Sequence, residues 1–169
     1  LDLPYIVNLD SFAYHWTGSL APGIETQVTL GNYNFKSHTS YKLKAWCKNP
    51  NNTTDVVTIN DTSSVAFYTA LKGTYTIGGT APDFNSFSQA AYTLQTVGLC
   101  GPVTFNVRNG TYDEYFSLPV IKGNSRVNTI TFQSENQDST LVTIITRNSS
   151  PGNSAMITLD SASYITFSK

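Results

Sequence analysis

Short β-strand segments recur along the second half of this chain of 169 residues. One series has a spacing of 26 residues: TFNV at 104–107, ITFQ at 130–133 and MITL at 156–159. A second series lies between them, at intervals of 26 and 23 residues: YFSL at 115–118, LVTI at 141–144 and YITF at 164–167. Two interleaved series with a common period predict a solenoid, in which each turn of chain stacks on the one before and the strands pair in parallel.

One helix is predicted immediately before these strands, in the segment DFNSFSQAAYTLQTVG. Four apolar residues fall at helical spacing and give one apolar stripe: Phe84, Phe87, Ala91 and Leu94. Ser86 and Gln89 match a capping box at the start of the helix, and Gly98 is suited to end it. We expect this short helix to cap the open end of the solenoid and to cover strand edges that could otherwise aggregate.

The first 70 residues show a different pattern, with short strands separated by polar turns. PYIVN and SFAYHW flank Leu9 and Asp10 as in a β-hairpin, and ETQVTLG and VAFYTA are further strand candidates. SYKLKAWCK has the clearest alternation, which places Tyr41, Leu43 and Ala45 on one face and Trp46 on the other, among lysines. These strands predict an antiparallel sandwich that lacks one or two strands upstream of Leu1.

The fold class predicted from these patterns is all-β with one short capping helix. We expect a truncated immunoglobulin-like β-sandwich over residues 1–70 and the beginning of a right-handed parallel β-helix, with two to three coils, over 71–169. We also expect an unpaired parallel edge at the C-terminal end of the coils.

The polar residues of the chain are mostly uncharged. Ser, Thr and Asn number 18, 23 and 15, which makes 56 of 169 residues, whereas charged residues make up only 12%. This balance suits β-strands joined by polar turns, and it favours a secreted or cell-surface protein over a cytosolic enzyme. Since the sequence shows neither an initiator Met nor a signal peptide, we expect a mature product or an excised piece.

The charge and cysteine content exclude several kinds of partner. The net charge is −1, and the densest positive cluster, Lys42, Lys44 and Lys48, is too sparse to follow a phosphate backbone, so no nucleic-acid partner is expected. No apolar run approaches the roughly 20 residues of a membrane helix, so no membrane insertion is expected. Cys47 and Cys100 fit two small buried residues, with a disulfide as the alternative, and no cofactor is expected.

Two places on the chain are candidates for binding or chemistry. Trp46 is a candidate ligand-facing aromatic residue that could stack on a sugar or anchor an interface, and packing on lysine stems is the alternative. The corner Tyr112-Asp113-Glu114 has an acidic pair but no partner base, nucleophile or cation nearby in sequence. We therefore expect a solvated corner there, with Tyr112 packed under the helix.

Weaker candidates concern modification, metal and acid–base chemistry. Ser139 and Ser161 follow Asp138 and Asp160 in DST and DSA, which resemble short O-glycosylation sites of secreted proteins, while the two carboxylates fit solvated corners better than a catalytic pair. The loop oxygens of Asp55, Asn60 and Asp61 are weak calcium candidates, although Asx turns explain the same residues.

The segment FNSFSQAAYTLQTVGLCGPVTFNVRNGTYDE resembles the start of right-handed parallel β-helix domains of the pectin-lyase-like superfamily, and the resemblance covers about residues 74–169. GTYTIGGTAPDF and NTITFQSE are similar to large bacterial surface proteins exported by type IX secretion. WTGSLAPG, VTLGNYNF, YKLKAW and NDT resemble CARDB-type immunoglobulin-like modules over about residues 8–70, without the opening strands of that family.

These resemblances imply a non-catalytic module of a large secreted or cell-surface bacterial protein, used for adhesion, display or spacing. Its partners would be polysaccharide, other surface proteins or neighbouring domains of the same parent chain. Two alternatives stay open: an accessory N-terminal part of a polysaccharide-active β-helix enzyme, a lyase or hydrolase, and a carbohydrate-binding module.

Overall fold

The structure, a computed structural model, describes residues 1–50, 53, 54, 56, 57, 59, 61–146 and 155–169. The chain divides into two compact units, Leu1–Thr69 and Ala70–Lys169. Strands make up most of the regular structure, and the described residues contain one α-helix, so the all-β fold class is confirmed.

The first unit contains one antiparallel sheet with the strand order β2-β1-β3-β4. Its strands are β1 (Asp2–Val7), β2 (Asp10–His15), β3 (Ser40–Trp46) and β4 (Thr62–Tyr68). The predicted hairpin is confirmed, since Val7 pairs with Asp10 and Asn8 takes the positive φ of a tight turn. The described residues of this unit form a single sheet, so the two-sheet sandwich stays a prediction.

The segment between β2 and β3 differs from the expected strand. ETQVTLG at 25–31 has no strand pairing, so that prediction is wrong. Its alternating apolar residues Val28 and Leu30 are half-buried instead, and Leu30 lines a cavity beside Leu3 and Trp46. Just after this segment, the rings of Tyr33 and Phe35 lie against Tyr41 of the sheet. Apolar residues at every second position can therefore pack on a sheet without joining it.

The second unit is built from three stacks of parallel strands. The largest stack has the order β12-β9-β6-β5, while β7 pairs with β10 and β8 with β11. The elements are β5 (Leu71–Ile77), α1 (Phe87–Val97), β6 (Leu99–Val107), β7 (Gly110–Asp113), β8 (Phe116–Leu118), β9 (Ile130–Ser134), a short 3-10 turn (Ser139–Leu141), β10 (Val142–Ile145), β11 (Ile157–Leu159) and β12 (Ile165–Ser168).

The chain passes through the three stacks in turn, and we call each passage a coil. The first coil is β6-β7-β8, the second is β9-β10-β11, and β12 begins the third. Within the described residues β12 pairs only with β9, which leaves its other edge unpaired. The right-handed β-helix itself stays a prediction, but parallel stacking in register is what the structure shows.

The pairing corrects the two strand series expected from the sequence. MITL contributes to β11, which pairs with β8, whereas YITF contributes to β12, which pairs with β9. The spacing between paired strands also varies, because Val103 pairs with Ile130 but Ile130 pairs with Ile165. Corners of different length separate the strands, so a constant period assigns some strands to the wrong stack.

The core of the second unit is a stack of aromatic rings under the helix. Phe105 stacks on Phe132 at 4.8 Å between ring centroids, and Phe132 stacks on Phe167 at 5.2 Å. The helix adds Phe87, whose ring stacks on Phe116 at 5.2 Å. The burial of Phe87, Ala91 and Leu94 on α1 confirms three residues of the predicted apolar stripe. Phe84 is also buried, but it lies before the helix and bridges to Ile77, so its predicted place on the helix is wrong.

The helix begins and ends where the sequence predicts. The Ser86 hydroxyl accepts a hydrogen bond from the Gln89 amide at 3.0 Å, and Gly98 ends the helix with φ +70°. The Gln89 side chain accepts from the Asn85 amide at 2.7 Å, so the reciprocal half of the capping box is displaced by one residue.

Candidate functional site

The corner after β7 is a packed part of the structure. Tyr112 lies edge-on to Phe87 at 5.1 Å, and its hydroxyl donates to the carbonyl oxygens of Ile77 at 3.1 Å and Arg108 at 2.7 Å. Burial raises the pKa of Tyr112, with the Glu114 charge as a second cause. The prediction that Tyr112 packs under the helix is confirmed.

Glu114 has a specific structural role that the sequence analysis missed. Its carboxylate accepts hydrogen bonds from the backbone amides of Phe87 at 2.9 Å and Ser88 at 2.8 Å, and from the Ser88 hydroxyl at 2.6 Å. These amides belong to the first turn of α1 and have no partner within the helix. The expected solvated corner is therefore wrong for Glu114, although Asp113 is exposed. The carboxylate serves as an anchor between the corner and the positive end of the helix.

Trp46 lies half-buried at the end of β3. The ammonium of Lys44 is 5.4 Å from the centre of its ring, which is a cation–π contact. The indole also lines a cavity of about 220 Å³ together with Leu3, Leu30 and Ala45. The packing alternative thus describes its position well, and part of the ring still faces solvent.

A larger aromatic surface lies elsewhere on the first unit. We call it the aromatic face, and it consists of six rings, each in contact with at least one other: Tyr5, Phe12, Tyr33, Phe35, Tyr41 and Phe67. Tyr41 is buried, whereas Phe12 and Phe35 are 37% and 43% exposed. Two of the six connected rings are thus open to solvent on this unit.

Polar groups lie directly beside these exposed rings. The Tyr33 hydroxyl donates to the Asp10 carboxylate at 2.7 Å, and this hydrogen bond raises the pKa of Tyr33. The Tyr41 hydroxyl accepts from the Lys36 amide at 2.9 Å. Ring faces next to fixed donors and acceptors can hold a ligand that is apolar on one side and hydroxylated at its edge, as a sugar ring is.

A sequence signal for the aromatic face existed in part. Tyr5 and Phe12 pair across the predicted hairpin and stack at 5.0 Å, so the hairpin prediction brings them together. Tyr33 and Phe35 follow the segment 25–31 that the sequence predicts as a strand, and only the tertiary structure places their rings beside the sheet.

The two serines considered for modification are both exposed. Ser139 begins the 3-10 turn, and the Asp138 carboxylate before it accepts hydrogen bonds from Thr140, which lower the pKa of Asp138. The Ser161 hydroxyl donates to Asp160 at 3.4 Å. Each carboxylate thus has a partner in its own corner, and O-glycosylation of Ser139 and Ser161 stays a prediction.

One of the three calcium candidates, Asp61, lies within the described residues. Asp55 and Asn60 lie outside the described residues, while the backbone oxygen of Asp61 accepts from the Cys47 amide at 3.2 Å. In the part of the chain that is described, no three His, Cys, Asp or Glu side chains form a group that could hold a metal ion.

Both cysteines are free and exposed, so the interpretation of Cys47 and Cys100 as buried residues is wrong. Cys47 follows β3 near the surface, and Cys100 lies at an outward position of β6, where its thiol donates to the Ala70 carbonyl at 3.5 Å.

Comparisons with known proteins leave the family open. No protein-family model, curated protein or solved structure matches this chain. Among the described residues, no helix has the length and apolar character needed to cross a membrane.

Proposed function

We propose that this chain is a non-catalytic module of a large secreted or cell-surface bacterial protein and serves adhesion, display or spacing. The aromatic face is the observation that carries this proposal. Six connected rings, two of them more than one-third exposed, form a surface that can contact a polymer or another surface protein.

The second unit supports the spacing part of the proposal. Its strands stack in register, and each added strand extends a parallel stack by about 4.8 Å. We interpret this stack as the start of a right-handed parallel β-helix, and the first unit as a CARDB-type immunoglobulin-like module. In this interpretation the two units are neighbouring domains of one extracellular parent chain.

A carbohydrate-binding module is the second candidate function, and a specific contact favours it. The Tyr33–Asp10 hydrogen bond fixes polar atoms beside the exposed ring of Phe12, which lies edge-on to Tyr33 at 6.1 Å. This combination suits a polysaccharide as the partner of the aromatic face. It also fits the accessory role in a polysaccharide-active enzyme. The two roles differ because the parent chain of such an enzyme would release sugar from the polymer, whereas a binding module would not.

Substitution of the two exposed rings tests the proposal. The double variant Phe12→Ala, Phe35→Ala should lose retention on the polysaccharides that hold the wild-type chain by tenfold or more, because loss of an aromatic anchor costs about 2 kcal/mol in binding. Tyr92→Ala is the matched control, since Tyr92 is 69% exposed on α1 and lies outside this face.

Two further readouts make the result specific. Tryptophan fluorescence establishes that the first unit of the double variant is folded, since both tryptophans lie in that unit. Trp46→Ala should bind like the wild type, because the Trp46 ring lies outside the six-ring cluster. Unchanged retention of a folded double variant would overturn the aromatic face as the adhesive surface.

A further inference from the structure

A small cavity lies at the end of the core of the second unit, beside the edge strand β12. Its volume is about 150 Å³, and its wall is mostly apolar. The rings of Phe87, Phe132 and Phe167 line it together with Val142 and Ile144 of β10. Phe167 is 43% exposed, so the cavity opens to solvent beside β12. The wall therefore presents aromatic rings and branched aliphatic groups to a molecule that enters.

One polar side chain in this wall is buried and has no partner. Ser134 is 4% exposed, and it lies two positions after Phe132 on β9, so alternation directs both side chains inward. Within the residues that the structure describes, the Ser134 hydroxyl makes no hydrogen bond. Because an unsatisfied buried hydroxyl costs free energy, nearly all such groups in folded proteins are bonded. This hydroxyl therefore indicates where a polar group of a ligand would bind.

Packing alone does not require a serine at this position. Ser134 pairs with Val107, which is buried at the same level of the neighbouring strand. The other inward residues of β9, Ile130 and Phe132, are apolar as well. An apolar side chain would satisfy the core here without leaving a polar group unbonded, so the hydroxyl is an exception to the apolar pattern of the stack.

Water is a poor occupant for the buried part of this cavity. A buried water makes about three hydrogen bonds, whereas Ser134 provides one free hydroxyl. The other serines of the wall, Ser139 and Ser168, are exposed, which places them at the mouth. The side-chain amide of Gln133 already donates to Asn106 at 3.0 Å. An apolar cavity of this volume is large enough to hold a molecule of the size of benzene.

The charges near the cavity are already paired or bonded outside it. No residue of the wall is ionisable among those that the structure describes. Glu135, which follows Ser134, pairs with Arg108 at 3.5 Å, and Asp138 accepts from the Thr140 hydroxyl at 2.7 Å. A charged ligand would lose its hydration without gaining an opposite charge, so the wall favours a neutral molecule.

We propose that this cavity binds a small neutral phenol. The ligand ring lies against Phe132 and Phe167, and the ligand hydroxyl forms a hydrogen bond with Ser134. Both hydroxyls can donate and accept, so this single bond gives the buried serine its missing partner. A phenol is neutral at pH 7, because a phenolic hydroxyl has a pKa of about 10. This inference goes beyond the proposed function, because it assigns a small-molecule site to the second unit.

The test compares phenol with toluene, which has nearly the same shape and a methyl group in place of the hydroxyl. Each would be titrated into the isotope-labelled full chain while the backbone amide chemical shifts are followed. Phenol should shift the amides of β9 and β10 with a dissociation constant on the order of 1 mM. Ser134→Ala should lower the ratio of phenol affinity to toluene affinity about three- to tenfold, because it removes one neutral hydrogen bond and leaves the cavity open.

Two further variants make the result specific. Ser117→Ala is the matched control, because it removes an exposed hydroxyl from β8 in a different stack, and its affinity ratio should equal that of the wild type. Val142→Phe should abolish binding of both ligands, because the larger side chain fills the cavity from a half-buried position. Circular dichroism at the helix band establishes that each variant is folded.

The outcomes separate this inference from the proposed function. A lower affinity ratio in Ser134→Ala with an unchanged ratio in Ser117→Ala supports the phenol site. An unchanged ratio in folded Ser134→Ala overturns it, and so does the absence of saturable shifts in β9 and β10 at about 10 mM phenol. If phenol fails to bind while Phe12→Ala, Phe35→Ala still loses retention on polysaccharide, the cavity proposal fails and the adhesive aromatic face stands.

Discussion

Removal of the Glu114 carboxylate should destabilise the second unit. Glu114 satisfies two backbone amides in the first turn of α1 and one hydroxyl, from a position 26 to 27 residues away in sequence. It therefore joins the corner after β7 to the helix, and it places a negative charge at the positive end of the helix. Loss of this joint exposes unsatisfied amides at a half-buried location.

The size of the effect follows from these three contacts. A side-chain acceptor at a helix N-terminus is worth about 0.5–2 kcal/mol, and hydrogen bonds to charged groups reach about 1.5–3 kcal/mol. Since the three bonds share one carboxylate and do not add fully, we expect Glu114→Ala to lower the free energy of unfolding by about 2 kcal/mol. We expect about 1 kcal/mol for Glu114→Gln, which retains one acceptor. For a unit of this size, 2 kcal/mol corresponds to a Tm lower by about 10 °C.

The assay can follow each unit separately. Circular dichroism at the helix band reports the second unit, because the single described α-helix lies there, whereas tryptophan fluorescence reports the first. Asp160→Asn is the control, since it also removes one negative charge and should change stability by less than about 0.5 kcal/mol. A Glu114→Ala protein whose helix melts at the wild-type temperature would refute the reasoning.

Three further predictions concern a titration and two buried positions. Tyr33 should ionise later than an ordinary tyrosine in an ultraviolet titration, because its hydroxyl donates to Asp10. Since its pKa is raised in the folded state, the bond stabilises the fold below about pH 10 and is lost as the pH rises further. Asp10→Asn should return the ionisation of Tyr33 to lower pH, and a titration curve identical to that of the wild type would contradict this expectation. Gly98→Ala should cost about 1–3 kcal/mol, because its φ is +70° and a Cβ there would lie 2.5 Å from the Lys122 oxygen. Phe105→Ala should lower the free energy of unfolding by about 3–5 kcal/mol, since its ring is fully buried. For either of these two variants, a helix that unfolds at the wild-type temperature would contradict the expectation.

The features predicted correctly depend on short stretches of sequence. The apolar stripe of α1, the Ser86 cap and the Gly98 terminus are each set by residues three or four positions apart. The hairpin is similarly local, because two alternating strands flank a two-residue turn. Because the backbone hydrogen bonds of these elements join residues close in sequence, few other local structures are possible. The sequence pattern is therefore sufficient to predict them.

The stacking of the coils was harder to predict because corner length is free to vary. In a parallel stack, each strand pairs with the strand that the chain places next to it. A longer corner moves the next strand further along the sequence without changing the apolar pattern of that strand. The interval from Ile130 to its partner Ile165 exceeds the interval from Val103 to Ile130 for this reason. A fixed period therefore detected the repetition and misassigned the partners.

The candidate surfaces depended most on the tertiary structure. Glu114 and α1 are far apart in sequence, so nothing local indicates that this carboxylate accepts from Phe87 and Ser88. The aromatic face likewise joins rings from two strand pairs and from an unpaired segment. The sequence directed attention to Trp46, whose environment can be recognised from the alternation of one strand alone.

Retention on polysaccharide without release of sugar is the most direct test of a non-catalytic adhesive module. The wild-type chain would be incubated with a panel of insoluble plant and algal polysaccharides, and both bound protein and soluble reducing sugar would be measured. The proposed function predicts retention on at least one polymer with no sugar released above the protein-free control. Release of soluble sugar by this chain would contradict it and would establish an enzyme.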